Sequence, residues 1–377
     1  MTTLDNALQG RPSLRPVPLP VREEKHESPD WVRISTASAV ALRFRSGRFT
    51  REFEFGGINL LLNYNSGCRS DCSYCGLART RPGTYEDKSF IRVEWPLVEM
   101  DELVDRMAKY HDSLTRLCIS MVTHGRAYSD TAELIRRIRT KVSAPLSILV
   151  APPTLNRERL QTFKDLGADM IGIGLDAVTE DLFRGHRTDV PSGGGLSWEK
   201  YWDIVETSRD IYGPWKVNCH TLVGLGETDK EAIEMFVRLV DQEIFPYLFC
   251  FNPEEDSRLG EQPKSSIQRW RRIQLAKHLV EFSGYRMRDF TFDAAGALTG
   301  IVEPSGGTDA IVAEAVESGV PFETDGCPSD DGGPGCTRPY GSYGPAESFR
   351  DFPFAPNTAD LSLIKDEMAL EEILISR

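Results

Sequence analysis

Six apolar, β-branched runs alternate with six amphipathic segments, and this rhythm predicts a parallel α/β sheet curved into an open or closed barrel. The runs are 57–65 (GINLLLNYN), 115–123 (TRLCISMVT), 145–151 (PLSILVA), 169–176 (DMIGIGLD), 216–225 (KVNCHTLVGL) and 246–252 (PYLFCFN). Their near-continuous apolar character suits strands covered on both faces, as in a parallel sheet. Helices are expected between and after them, near 99–110, 129–142, 156–166, 197–212, 228–242 and 265–283. Several of these start at capping residues, such as Ser129-Asp130 and Thr228-Asp229. Ligands are expected at the carboxyl ends of such strands.

The outer segments read differently. Residues 1–55 carry scattered Pro and charge without sustained periodicity, which predicts a loosely ordered N-terminal extension without a chemical role. Residues 56–290 form the barrel. Residues 291–377 form a C-terminal segment with a possible strand at 290–302, a short helix at 308–318 and a Gly/Pro/Asp-rich tail. Across the 377 residues, 57 acidic against 44 basic side chains give a net charge of −13 without a Lys/Arg block, so nucleic acid is not the expected partner. No run approaches the roughly 18 to 20 apolar residues of a membrane span, and the start lacks the features of a secretory signal. A cytoplasmic protein without a membrane partner is expected, and its eight cysteines are too few for a disulfide scaffold.

The most specific signal is Cys68, Cys72 and Cys75 in GCRSDCSYCGL, a C-x3-C-x2-C loop directly after the first strand. Three thiolates on one short loop can hold three corners of a cubane iron–sulfur cluster and leave the fourth iron open to a substrate or cofactor. The plainer readings are a structural zinc site, which wants four closed ligands where no fourth is near, and chance clustering.

These residues resemble the radical S-adenosylmethionine (SAM) superfamily, with Tyr74 at the aromatic position before the third cysteine. The resemblance spans 57 to about 290 and implies a partial (β/α)6 barrel, a [4Fe–4S] cluster on Cys68, Cys72 and Cys75, and SAM chelated to the open iron. It further implies a one-electron donor such as flavodoxin or ferredoxin. One electron cleaves SAM to methionine and a 5′-deoxyadenosyl radical, which removes a hydrogen atom from a small-molecule substrate. The barrel supplies positioning and exclusion of water.

Other segments extend the resemblance towards biotin synthase. Asp176, ending IGIGLD, falls where relatives bind the SAM ribose or the substrate; a helix cap is the plainer reading. HTLVGLGET resembles a strand-five motif whose backbone, at Gly224, packs along the adenine, with Glu227 fixing the turn. In MVTHG, Thr123 or His124 stands where relatives bind the methionine amino group, although a satisfied loop histidine explains His124 as well. FNPEEDS is expected to make backbone contacts only.

Cys219 and Cys250 read as small buried hydrophobes. Cys118 lies in the second strand, where biotin synthase holds a sulfur-donating auxiliary cluster, and Cys219 is one position out of register with another such cysteine, which turns it to the opposite face. Cys327 and Cys336 lie in a loop able to fold over the barrel mouth. The text GCP…GCTRPY resembles the C-terminal GCP-x-C-N-R-P-Y stretch of archaeal-type lipoyl synthases, with Ser329–Gly335 as a seven-residue insertion. The resemblance therefore implies an auxiliary iron–sulfur cluster on Cys118, Cys327 and Cys336, the tail pair acting in catalysis as the sulfur-donating site. A disulfide or a loop zinc site are the alternatives. The expected activity is a radical SAM sulfurtransferase acting on a sugar or nucleoside precursor or an octanoyl chain. The alternatives are an epimerase, dehydrogenase or lyase using the second cluster or a tail Cys as electron or hydrogen donor, and a non-catalytic metal scaffold.

Overall fold

A computed structural model describes residues 26–91, 93–189, 195–302, 310–344 and 346–375. In chain order it contains β1 (Trp31–Ile34), α1 (Thr36–Ala41), β2 (Gly57–Leu62), β3 (Leu97–Glu99), α2 (Met100–Lys109), β4 (Arg116–Ser120), α3 (Ala127–Arg139), β5 (Leu146–Val150), α4 (Arg157–Asp165), β6 (Met170–Asp176), α5 (Glu180–Phe183), α6 (Trp198–Tyr212), β7 (Val217–Val223), α7 (Asp229–Asp241), β8 (Phe245–Cys250) and α8 (Ile267–Phe282). Then follow β9 (Phe290–Phe292), β10 (Leu298–Val302), α9 (Ala310–Ser318), α10 (Thr358–Met368) and β11 (Leu374–Ile375).

The large sheet has the order β3-β1-β2-β4-β5-β6-β7-β8. From β2 to β8 each neighbouring pair is parallel, the arrangement expected from strands joined by helical crossovers. All six strands of this parallel run coincide with the apolar runs read from the sequence. Their outward residues, such as Leu60, Ile119, Ile148 and Ile173, join the helices in one extended core and are almost wholly withdrawn from water. α7 begins with a complete capping box, Thr228 accepting from the Glu231 N–H and Glu231 accepting from the Thr228 N–H. α3 instead starts at Ala127, so Ser129 and Asp130 lie inside its first turn. There Asp130 accepts from the Tyr64 hydroxyl and pairs with Arg126.

The described part of residues 1–55 is more ordered than its composition suggested; residues 1–25 lie outside the described residues. β1 pairs antiparallel with both β2 and β3 and extends the sheet by two strands. The reason is Arg33, a buried side chain in β1 whose guanidinium donates to the carbonyls of Trp95, Tyr85 and Lys88 and ties the strand to the following loops. The expected strand at 290–302 is two strands, β9 and β10, joined by a turn at Asp293 and forming a second sheet with β11.

The parallel sheet ends at β8, whose outer edge would leave N–H groups unpaired. The C-terminal tail satisfies them: Asp325 accepts from the Leu248 N–H and Ser342 Oγ from the Cys250 N–H. Lys277, itself buried on α8, holds Asp325 in place at 2.7 Å. On the opposite side the tail meets the lower half of β2 and the start of β4, where Thr115 donates to the Gly335 carbonyl and Arg116 to that of Pro328. The tail thus fills the seam between the two ends of the parallel sheet.

Asp351, beside this seam, is buried, and burial pushes its carboxyl up to about 6 against the Ser342 hydrogen bond, which lowers it. An unfolded chain ionises this group near 3.8, so between about 4 and 6 rising pH releases its proton first from the unfolded state and reduces stability. Asp351→Asn should therefore be more stable than the parent at pH 7 by about 3 kcal/mol, with the difference shrinking towards zero below pH ~4. Urea unfolding of both proteins across this pH range measures it; a pH-independent difference would assign Asp351 no such role.

Candidate active site

The loop after β2 carries Cys68, Cys72 and Cys75 to the carboxyl end of the sheet, where all three line one open pocket of about 1230 Å³ including its mouth. Fixed polar contacts shape the loop. Asp71 is fully buried, accepts from the Thr80 N–H at 3.0 Å and hydroxyl at 2.7 Å, and pairs with Arg258 at 2.6 Å. The Arg69 N–H donates to the Thr123 carbonyl, and the Ser73 N–H to that of His186. The His186 ring bridges Ser73 Oγ at 2.7 Å and the Leu225 carbonyl at 2.9 Å. Burial pushes the Cys72 and Cys75 thiols up; for Cys72 the nearby Arg187 guanidinium works in the opposite direction.

Asp176 ends β6 with φ +64°, a left-handed conformation a non-glycine residue adopts at a cost of order 1 to 3 kcal/mol. Its carboxylate accepts from the Tyr74 hydroxyl at 2.5 Å and lies 3.5 Å from Arg187. Arg187 sits in a π-helical turn, Arg184–Thr188, a rare element often found at functional sites. It is buried, donates to the carbonyls of Gly174 and Leu175 and to the Tyr201 hydroxyl, and lies over the Phe183 and Tyr201 rings. Nothing in sequence periodicity marked Arg187; the short polar run RGHRT after a strand end was its only trace.

Two expected contacts are placed elsewhere. The His124 ring stacks on Tyr64 with centroids 3.8 Å apart, faces Ser66 and is absent from the pocket wall, while Thr123 beside it lines the pocket. Gly224, at φ +118°, also lies off the wall, its N–H donating to Glu227, whose other carboxylate oxygen takes the Leu225 N–H. Glu227 thereby fixes the turn, as the resemblance to the strand-five motif implied. From FNPEEDS, by contrast, the side chains of Asn252 and Glu254 reach the wall, where backbone contacts alone were expected.

The tail cysteines meet Cys118 at the foot of the sheet, not over the mouth. Cys118 faces inward from β4, and its thiol is pushed up to about 12, chiefly by burial and then by Cys336 and Cys327. Cys327 accepts from Asn218 Nδ2 at 3.5 Å, and the Cys336 thiol donates to Asn59 Oδ1 at 3.5 Å. The two tail segments touch directly, the Cys336 N–H donating to the Cys327 carbonyl at 3.0 Å. Glycine before each cysteine permits this: a Cβ at Gly326 would fall 1.8 Å from the Cys336 carbonyl oxygen and one at Gly335 2.5 Å from that of Cys327. The insertion Ser329–Gly335 closes on itself through Ser329, Asp331 and Gly333, so it leaves the pair adjacent. Cys219 faces away from this group, in the outer core, as its one-residue offset implied. Cys250 is buried beside Arg350.

Among the described residues no three His, Cys, Asp or Glu side chains converge as a single metal ion requires. A cubane spaces its corner sulfurs more widely, and the three loop thiols around one pocket suit that donor set, while Cys250 lines the same pocket from the end of β8. Buried pocket atoms without a partner, Ser70 Oγ and Asn252 Oδ1, offer hydrogen bonds to a polar group such as SAM.

A parallel α/β sheet carrying a thiol-lined, mostly apolar pocket at its carboxyl ends is the frame of an α/β enzyme. More particularly, residues 62–239 match the Radical SAM superfamily, and the chain is similar in sequence to biotin synthases. It is 26% identical over 212 residues to the biotin synthase of Paraburkholderia phymatum, covering 54% of this chain and 55% of that one. The biotin synthase of Albidiferax ferrireducens is 23% identical over 253 residues, covering 64% and 66%. The chain thus spans little more than half to two thirds of the length of these curated relatives. Among solved structures, methylornithine synthase overlaps with a TM-score of 0.45 at 15% identity (65% of this chain, 66% of that one). The hydrogenase maturase HydG of Carboxydothermus hydrogenoformans gives 0.46 at 17% (89% and 70%). Among the described residues no helix is long and apolar enough to cross a membrane.

Asp176→Ala would leave Arg187 buried without its carboxylate. Stability should fall by about 2 to 4 kcal/mol, and Tyr74→Phe, which removes one hydrogen bond, should cost about 1 kcal/mol. Denaturant titration checks both; equal effects would mean that the charge pairing is not the dominant interaction.

Proposed function

We propose that this protein is a radical SAM sulfur-insertion enzyme that forms a C–S bond on a small molecule. The observation that carries the proposal is the gathering of Cys118 with Cys327 and Cys336 one layer beneath the pocket floor. Ser120, Leu149, Gly174 and His220 line the pocket, whereas Cys118, Ser147, Gly172 and Asn218 lie two positions earlier on the same strands, about 7 Å deeper. A substrate on that floor would lie between two sets of thiols.

In this reading Cys68, Cys72 and Cys75 hold a [4Fe–4S] cluster, and Cys118, Cys327 and Cys336 hold an auxiliary iron–sulfur cluster. When bound, the first cluster with SAM supplies the radical and the second supplies the sulfur. The chain's own residues position and exclude. Tyr74, Asp176 and Arg187 form a rigid wall beside the upper thiols. The tail shuts the seam against water and lends two thiols to a site that the barrel supplies with only one. Asn59, Asn218 and Ser147 surround the lower thiols with short polar groups suited to sulfur acceptors.

Cys72→Ala should abolish 5′-deoxyadenosine formation. Cys327→Ala or Cys336→Ala should spare it, while product carrying new sulfur disappears. Without an added sulfide source the parent protein should stop near a single equivalent of product. Many turnovers to a sulfur-free product, or sulfur incorporation that survives loss of both tail thiols, would move the protein to the epimerase, dehydrogenase or lyase class. These are read by mass spectrometry of anaerobic reactions, with iron and sulfide counted on each variant.

A further inference from the structure

The tail carries more than thiols. Two residues beyond Cys336, Arg338 reaches the wall of the pocket, where its guanidinium lies 4.2 Å from the centroid of the Phe249 ring. Among the described residues it has neither a hydrogen bond nor a salt bridge, and its Nε is buried without a partner. Arg338 as a whole is half-buried, and its buried Nε is costly to leave unpaired unless something else supplies an acceptor.

The other charges of the pocket are committed. Arg187 is paired with Asp176, and Glu254 accepts from Ser89 at 2.6 Å on the side of the cysteine loop. Asp351, which feels the field of Arg338, accepts from Ser342 and does not line the pocket. His220 stands on the same wall between Tyr247 and Phe249, and burial together with Arg338 holds it neutral. Around these the surface is apolar, with Leu61, Leu149 and Leu222. One uncompensated cation in an apolar setting matches one negative charge on a mostly apolar ligand, whereas a phosphate dianion would call for further donors.

We propose that Arg338 binds the carboxylate of the substrate, which is therefore a small organic monoacid. This rests on the sulfur-insertion reading only for the name substrate, and it selects a free acid over a chain already joined to a protein. Because Arg338 follows Cys336 so closely, the same tail that brings the lower thiols also fixes one end of the molecule above them.

The test uses anaerobic, cluster-loaded protein with SAM and no reductant, so that binding is read without turnover. Equilibrium dialysis compares the straight-chain carboxylates from butanoate to octanoate, and benzoate, with the corresponding primary amides. At least one carboxylate should bind about 10-fold or more tightly than its amide, as a charged hydrogen bond worth about 1.5 to 3 kcal/mol requires. Arg338→Gln should erase that preference and Arg338→Lys keep part of it, with iron and sulfide content unchanged in both. Equal binding of every acid and its amide, or a preference that survives Arg338→Gln, would overturn the proposal. Loss of iron or sulfide in Arg338→Gln would overturn it too, by making Arg338 a neighbour of the lower thiols. A protein that made no C–S bond would still show the preference, so failure of the sulfur-insertion reading is a separate result.

Discussion

An open parallel sheet has two ends, and the N–H groups along an end strand must find acceptors. Here those of Leu248 and Cys250 find them in Asp325 and Ser342. Much of the lower half of the molecule depends on this hydrogen bonding. It draws residues more than seventy positions away in sequence into the seam, presses Cys336 against Gly57, and turns three thiols from separate segments towards one another. Lys277 reinforces it from behind, its one buried ammonium shared between Asp325 and Glu281, and burial pushes the Glu281 carboxyl up.

The upper half depends on a different constraint, the burial of one guanidinium. Arg187 receives acceptors from two backbone carbonyls, a phenol and a carboxylate, and in return it fixes the end of β6 in a conformation that Asp176 would not otherwise favour. Tyr74 carries this order into the cysteine loop. The loop is thus rigid on the side facing the pocket, and a preorganised wall is what a reactive intermediate needs if water is to be kept away.

The parallel strands and their helices were legible because a strand covered on both faces must be apolar throughout and a surface helix must alternate at its own period. The cysteine loop was legible because its spacing is short and local. What escaped were features fixed by partners far along the chain. β1 reads as part of a Pro-rich extension until Arg33 finds its three carbonyls. His124 reads equally as a ligand or as a satisfied loop histidine until Tyr64 takes its ring face. The tail cysteines were visible, but their placement at the foot of the sheet follows from edge hydrogen bonds that no local pattern encodes. Arg187 was invisible for the same reason, a lone arginine in a polar run, whereas Arg338 stood in the matched stretch GCTRPY but its place on the pocket wall is defined only by what surrounds it.

The loop that brings the tail thiols together also sets an order of manufacture. Cys118 leaves the ribosome more than two hundred residues before Cys327, which at about 5 to 20 residues per second is an interval of roughly 10 to 40 s. During that time the loop with Cys68, Cys72 and Cys75 is complete while the foot of the sheet has a single thiol. The upper and lower sites are therefore separated in time as well as in depth. Anything that needs Cys118 and both tail thiols can be installed only after the chain has been made as far as Cys336.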